Sequence, residues 1–154
     1  KTQDDLVMTE TEMPQCVTTQ RGSRRMDCYR LQDGRFHVVR RGEAAVMLTG
    51  GDHILVREPL ASILRELCSH CLDLVPAIVA QIVSGETWPG YSEVLPHEQI
   101  TPDAILTTDS SGYKVWGFRQ QCIFVSPAVM REISRRGIDG LEFSPGFSRF
   151  AGAA

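Results

Sequence analysis

Two stretches of the chain, at residues 54–76 and 123–145, follow the same order of strand, helix and strand with an offset of 69 residues and no gap. Each stretch begins with three apolar β-formers, continues with apolar residues at helical spacing, and ends in a strand that closes on Pro76 or Pro145. Few positions are identical, so chance similarity is the alternative. The shared order of elements favours a structural repeat of two strand–helix–strand units.

The rest of the pattern predicts an α+β fold. Alternating residues on either side of Asp33-Gly34 predict a β-hairpin, because this dipeptide favours the tight turn between antiparallel strands. Pro59 and the pair Ser126-Pro127 favour the starts of the two helices. We therefore expect a mixed or antiparallel sheet with the two units in pseudo-repeat. The further strands expected are 44–49, 72–83, 91–100, 113–118 and 122–125.

The length of 154 residues fits one domain. We expect residues 1–20 to be a flexible, polar N-terminal arm, residues 21–146 to form a single α+β domain, and residues 147–154 to be a tail. A loosely held first strand is the alternative for residues 1–20. No window approaches the roughly 18 consecutive apolar residues of a membrane-spanning helix, and no succession of residues resembles a signal peptide. A cytoplasmic location without membrane contact is therefore expected.

The cysteines favour packing over metal or redox chemistry. There are five, an odd and irregularly spaced set, which is unlike a secreted disulfide framework. Cys68-Ser69-His70-Cys71 is a C-x-x-C motif, but a zinc site needs further ligands and a thioredoxin-like motif needs a preceding strand. We expect reduced, buried thiols that behave as small apolar side chains, with no metal and no cofactor.

The sequence gives little support to an enzyme. It contains no G-x-S-x-G, P-loop or H-E-x-x-H motif. Asp52-His53 and His70-Cys71 are the pairs that could serve catalysis, but nothing in the sequence places a nucleophile together with its orienting partners. We therefore expect no catalytic residues.

The net charge of −3 hides an uneven distribution. Residues 17–41 carry seven arginines and a net charge of +5, residues 58–113 carry −7, and residues 114–154 carry +3. Such segments commonly form solvated faces that neutralise one another. The alternative is an acidic surface that steers a basic protein partner.

The acidic segment contains the candidate partner-binding residues. Trp88 and Tyr91 flank a Pro-Gly turn in an expected loop at 85–90, close to Glu86 and Glu93. Aromatic anchors with an acidic rim are typical of a binding hot spot that faces a basic partner. Burial of Trp88 as a cover for the sheet is the alternative. The candidates are Glu86, Trp88, Tyr91, Glu93 and Asp109.

The second unit opens on Ile-Phe-Val-Ser-Pro at 123–127 and closes on Gly-Ile-Asp-Gly-Leu-Glu-Phe-Ser-Pro at 137–145. These stretches resemble the C-terminal signature of a bacterial immunity-protein family, whose members accompany polymorphic or contact-dependent toxins. The resemblance covers about residues 50–146. Some relatives carry paired Cys-x-x-Cys-Gly motifs, whereas here Leu72 follows Cys71, so no metal is carried over.

The resemblance implies a protein of bacterial competition that binds a cognate toxin and blocks it by direct contact, with no chemistry of its own. An exposed strand edge would also permit a homodimer. A different class of function remains open, namely a small nucleic-acid or phosphate-ligand module that uses the arginines of residues 17–41. The mild acidity of the chain makes nucleic acid the less favoured partner.

Overall fold

A computed structural model describes residues 12–19, 26–39, 42–81 and 83–148. These ranges contain two sheets and two helices, which confirms the predicted α+β class. Neither helix is long and apolar enough to cross a membrane. The strands are β1 (Gln15–Thr19), β2 (Cys28–Arg30), β3 (Phe36–Val38), β4 (Met47–Thr49), β5 (Ile54–Arg57), β6 (Leu72–Gln81), β7 (Thr87–Pro96), β8 (Val115–Phe118), β9 (Cys122–Val125) and β10 (Leu141–Pro145), and the helices are α1 (Leu60–Cys68) and α2 (Pro127–Arg135).

The two predicted units have the same topology. In the first unit, β5, α1 and β6, the two strands are separated by β7, which is antiparallel to both. In the second unit, β9, α2 and β10, the strands are separated in the same way by β1. A hairpin partner precedes each unit, β4 in one case and β8 in the other. The matching orders β4-β5-β7-β6 and β8-β9-β1-β10 show that the sequence repeat is a repeat of topology.

A single apolar core joins the two units. Both helices and one face of each sheet contribute buried side chains to it, among them Val56, Leu64, Val125 and Ile133. Leu64 in α1 and Ile133 in α2 occupy equivalent positions, and both are almost fully buried. Burial of a side chain of this size contributes about 1.5–3 kcal/mol. The helices therefore hold the two sheets together.

The six-stranded sheet, in the order β2-β3-β6-β7-β5-β4, curls until its two edge strands meet. The link joins Asp27, which precedes β2, to Thr49 at the end of β4. The backbone N–H of Asp27 donates to the Thr49 carbonyl at 2.8 Å, and the backbone N–H of Thr49 donates to Asp27 Oδ2 at 3.0 Å. A second apolar cluster fills the curl. Its buried members are Cys28, Phe36, Val38, Leu48, Leu55, Val79, Trp88 and Tyr91.

Two predicted boundaries differ from the structure. Residues 15–19 do not belong to a flexible arm but form a first strand, which was the alternative: β1 fills the space between β9 and β10, with Val17 buried in the shared core. Phe147, expected in the tail, packs against Phe118 and Phe124 with ring centroids 4.9 and 4.7 Å away. Both errors arise because long-range packing orders segments whose local composition is polar or Gly-rich. Residues 1–11, 20 and 149–154 lie outside the described part of the chain.

The predicted loop at 85–90 is also wrong from residue 87 onward, because β7 begins there. Pro89 and Gly90 lie opposite an irregularity in β6 between Ala77 and Val79, where the ladder between the strands is interrupted. A proline without an N–H is tolerated at such a point. Ile78 lies within the same irregularity and is 60% exposed.

Candidate functional site

A cleft of about 310 Å³ lies beside the curled sheet, where the chain after β7 approaches β8. Its walls come from the end of β2, the turn before β5, the second half of β7 and the β8–β9 hairpin. The lining residues are Arg30, Asp52, His53, Ile54, Glu93, Val94, Leu95, Pro96, Gln99, Gly117, Gln120 and Cys122. Ligand pockets usually have volumes of about 300–1,000 Å³, so this space suits one side chain or a small molecule.

Close backbone contact between residues 98–100 and β8 forms one end of the cleft. The N–H of Gly117 donates to the Glu98 carbonyl, and the N–H of Ile100 donates to the Gly117 carbonyl, both at 2.9 Å. A Cβ atom at Gly117 would lie 2.6 Å from Gln99 Nε2. A glycine is therefore needed for Gln99 to reach the cleft in this position.

Arg30 and Glu93 form the main ion pair in the cleft. Two guanidinium nitrogens of Arg30 donate to the two carboxylate oxygens of Glu93, at 2.6 and 3.3 Å. The guanidinium also lies 4.9 Å from the ring centroid of Phe36. The hydrogen bond that Arg30 donates to Glu93 raises the pKa of Arg30. This bidentate geometry fixes both side chains.

Asp52 is a second carboxylate of the cleft and is held from behind. Its Oδ1 atom lies 2.6 Å from Nδ1 of His53, whereas its Oδ2 atom lies 3.6 Å from Nε of Arg30. The hydrogen bond with His53, followed by the charge of Arg30, lowers the pKa of Asp52. Asp52 is therefore a carboxylate at neutral pH, with one oxygen engaged by His53 and the other only loosely by Arg30.

His53 is buried and continues this array into the curled sheet. Its side chain is 1% exposed, its ring lies 4.8 Å from that of Phe36, and its Nε2 atom lies 3.1 Å from Cys28 Sγ. A Cβ atom at Gly50 would lie 2.2 Å from two atoms of the His53 ring. The chain therefore makes room for this histidine with a glycine.

Cys28, His53 and Asp52 stand in the order of a thiol nucleophile, its base and the group that orients the base. The sequence did not indicate this arrangement, because it joins segments that are 25 residues apart. However, Cys28 is 0% exposed, and burial raises its pKa to about 12. Reactive cysteines are accessible and have a lowered pKa. The array is therefore a support: Cys28 Sγ contacts Nε2 of His53, Asp52 Oδ1 contacts Nδ1, and the ring is fixed between these two partners.

Three of the four other thiols are buried, as expected from the sequence, and the exception is Cys71. None of the five cysteines is in a disulfide. Cys68 is buried, and its burial raises its pKa to about 12, whereas Cys71 is partly buried and donates to the Tyr113 carbonyl at 3.7 Å. Among the residues that the structure describes, no three His, Cys, Asp or Glu side chains form a group that could hold a metal ion.

The predicted partner-binding residues do not lie together. Glu93 is in the cleft, but Trp88 and Tyr91 are only 4% and 3% exposed and fill the interior of the curl. Their prediction as exposed loop anchors is wrong, and the alternative, that Trp88 covers the sheet, is confirmed. The Tyr91 hydroxyl donates to the Ala45 carbonyl. The aromatic pair belongs to the strand that carries Glu93 and supports it from within.

Glu86 and Asp109, the other two candidates, lie in separate loops. Glu86 is exposed next to β7, and its backbone N–H donates to Ser84 Oγ at 3.2 Å. Asp109 precedes β8 and pairs with Lys114 at 3.2 Å. Hydrogen bonds from Ser111, together with Lys114, lower the pKa of Asp109 to about 2. Of the five candidates, Glu93 alone lines the cleft.

Sequence reasoning missed the apolar rim of the cleft. Leu95 lines it and is 42% exposed, and Val75, opposite Glu93 in the neighbouring strand, is 45% exposed. Asp73 lies opposite Leu95 and is 3.3 Å from Nε2 of His97. Residues that face each other across an antiparallel pair share one face. This face therefore alternates apolar and acidic groups up to the edge of the cleft.

The arginines of residues 17–41 are described only in part. Arg30 pairs with Glu93 and Asp52, and Arg35 pairs with Asp33 at 2.7 Å. Both guanidinium groups are thus engaged by carboxylates. The other five arginines of the segment lie outside the described residues.

Comparison with protein-family models, with curated proteins and with solved structures finds no match. The resemblance of residues 50–146 to the immunity-protein family is therefore supported by the sequence motifs of this chain alone. Function has to be argued from that resemblance and from the chemistry of the cleft.

Proposed function

We propose that the protein is an immunity protein, which binds one cognate bacterial toxin in the cytoplasm and neutralises it by direct contact, without catalysis. The observation that carries this proposal is the cleft, in which two carboxylates face one guanidinium beside exposed apolar side chains. The resemblance of residues 123–145 to the immunity family supports it independently.

The charge of the cleft favours a basic partner. Arg30, Asp52 and Glu93 together leave one negative charge, and His53 donates to Asp52 from a buried position. Complementary charge speeds the encounter of two proteins and disfavours wrong partners. A toxin that presents a basic surface is therefore the partner that this cleft fits best.

The apolar rim supplies the area that charge alone does not provide. Apolar contacts around a charged contact exclude water from it when an interface forms. Leu95 and Val75 are exposed next to Glu93 and Asp73 on the same face of the β6–β7 hairpin. We expect the toxin to cover this face and the mouth of the cleft together.

We expect the gene next to the one for this protein to encode the cognate toxin. Co-expression with the product of that adjacent gene tests the proposal. We expect restored growth and a stable complex on size-exclusion chromatography. The variant Leu95→Lys is expected to weaken that complex at least about tenfold, because removal of a hot-spot side chain costs about 2 kcal/mol or more. Leu106→Lys is the matched control, because Leu106 is 65% exposed and does not line the cleft.

The absence of both rescue and complex formation with the wild-type protein would overturn the proposal. If both lysine variants weakened the complex equally, the toxin would not bind specifically at the cleft. If the protein is an immunity protein that uses this surface, wild-type and Leu106→Lys proteins bind alike and Leu95→Lys alone is weakened.

A further inference from the structure

We propose that the cleft is a receptor for a single arginine side chain, presented by the partner and bound at the mouth of the cleft by the loosely engaged Oδ2 atom of Asp52, next to the Arg30–Glu93 ion pair. This deepens the proposed function as far as the partner is concerned. The recognition of a guanidinium group is itself a property of the cleft, and it can be measured without a toxin.

The first support is the charge that Arg30 leaves uncompensated. Arg30 makes its short contacts, 2.6 and 3.3 Å, with Glu93, but it reaches Asp52 only at 3.6 Å. The Asp52 side chain is 59% exposed. One carboxylate oxygen therefore remains available to a second cation at the mouth of the cleft.

The second support is the buried array that holds Asp52 in place. His53 is 1% exposed, contacts Asp52 Oδ1 at 2.6 Å, and is itself contacted by the Cys28 thiol at 3.1 Å. Burial of a polar ring costs free energy unless its hydrogen bonds are satisfied. Here both ring nitrogens have partners, and the result is a carboxylate whose second oxygen is fixed in direction. Such pre-organisation lowers the entropic cost of binding.

The third support is the size and lining of the cleft. A volume of about 310 Å³ is small for a cofactor but sufficient for one long side chain. Leu95 and Pro96 offer an apolar wall for an aliphatic stem, and the side-chain amides of Gln99 and Gln120 offer carbonyl acceptors. A planar guanidinium with five N–H donors can use carboxylates and amides at once, whereas an ammonium group has three donors and stronger hydration.

The probe for this site is Nα-acetyl-arginine amide, titrated into the protein and followed by NMR. We expect saturable shifts at the side-chain amides of Gln99 and Gln120 and at the N–H of Gly117. The uncharged citrulline analogue is expected to bind about tenfold more weakly, because a hydrogen bond to a charged group contributes about 1.5–3 kcal/mol. The lysine analogue is expected to be weaker than the arginine probe.

The variants Asp52→Asn and Glu93→Gln keep the shape of the side chains and remove one charge each. Both are expected to weaken binding of the arginine probe about tenfold. Asp73→Asn removes the same charge from an exposed position on the same hairpin outside the cleft, and is expected to leave probe binding unchanged. Wild-type binding of the citrulline and lysine analogues needs no variant, so the test survives if a variant fails to fold.

Two results would overturn the proposal that the cleft recognises arginine. One is equal binding of the arginine, citrulline and lysine probes, and the other is NMR shifts at residues outside the cleft. Either result leaves the proposed function intact if the adjacent gene product still binds. Conversely, arginine binding in the cleft together with no toxin complex would overturn the proposed function alone.

Discussion

The two strand–helix–strand units have the same topology but differ in what surrounds them. In the second unit, the strand inserted between β9 and β10 is β1, from the start of the chain, and β10 ends after five residues. In the first unit, the inserted strand is β7, which forms a hairpin with the ten-residue β6. The longer hairpin continues into the curled sheet and carries Glu93 and Leu95 into the cleft.

This difference separates the parts that build the shared core from the parts that form the cleft. The parts that the two units share, the helices and their parallel strands, build the common core. The charged groups of the cleft, Arg30, Asp52 and Glu93, come from the six-stranded sheet and the turn before β5, whereas the residues that the β8–β9 hairpin contributes are uncharged. We therefore expect equivalent core changes to act alike in both units, and cleft changes to be specific to the first.

The largest expected effect is on the shared core. Leu64→Ala and Ile133→Ala, at equivalent positions in α1 and α2, should each lower the free energy of unfolding by about 2–5 kcal/mol, because each leaves a cavity. Urea denaturation measures both, with the exposed Ser134→Ala as a control. A loss below about 1 kcal/mol for one of the two would contradict an equal role of the helices.

A smaller effect is expected at Gly50, which has a role only in the first unit. A Cβ atom there would meet the His53 ring at 2.2 Å and the Cys28 carbonyl oxygen at 2.8 Å. Gly50→Ala should cost about 1–3 kcal/mol, as overpacking does, and should abolish binding of the arginine probe. Gly51→Ala is the control, because its nearest contact is Met26 Cε at 3.8 Å. If the two variants had the same stability and the same affinity for the arginine probe, the packing of the His53 ring against Gly50 would not be tight.

The smallest effect is expected from the ion pairs around Arg135 and Arg136 at the end of α2. Arg136 contacts Glu66 of α1 at 2.5 Å and Glu132 of α2 at 3.3 Å. Arg135, followed by Arg136, lowers the pKa of Glu132 to about 2. Because the folded-state pKa is lowered, this contribution to stability is present above the unfolded value and is lost as the pH falls toward 2.

Glu132→Gln should therefore reduce the loss of stability between about pH 5 and pH 2 and change little at pH 7, since exposed ion pairs contribute little. Urea midpoints across this pH range give the measurement. Glu98→Gln serves as the control for the loss of one carboxylate from an exposed position. If the urea midpoint of Glu132→Gln fell with decreasing pH as steeply as that of the wild type, Glu132 would not contribute to the acid sensitivity of the protein.

Local signals in the sequence were enough for the framework. The Asp33-Gly34 turn does join two antiparallel strands, and the offset of 69 residues does mark the start of equivalent strands at Leu72 and Leu141. These features depend on turn chemistry and apolar spacing, which act over a few residues.

The candidate site was predicted only at Glu93, because its other parts depend on contacts between distant segments. Cys28 and His53 are brought together by the link between β2 and β4, which no local pattern announces. Trp88 was misplaced because a Pro-Gly pair usually signals a turn, whereas here it lies opposite the irregularity in β6. Long-range pairing therefore decides which candidate residues reach the surface.

The central claim is that the acidic cleft of the first unit binds the toxin. The most direct measurement compares the affinity of two double variants for the adjacent gene product by calorimetry. Asp52→Asn with Glu93→Gln removes both carboxylates of the cleft, and Asp103→Asn with Glu86→Gln removes the same charge from exposed positions outside the cleft and the face beside it. We predict that the cleft variant binds at least about tenfold more weakly than the wild type and that the control binds as the wild type does. Equal affinities of the two variants would contradict the claim.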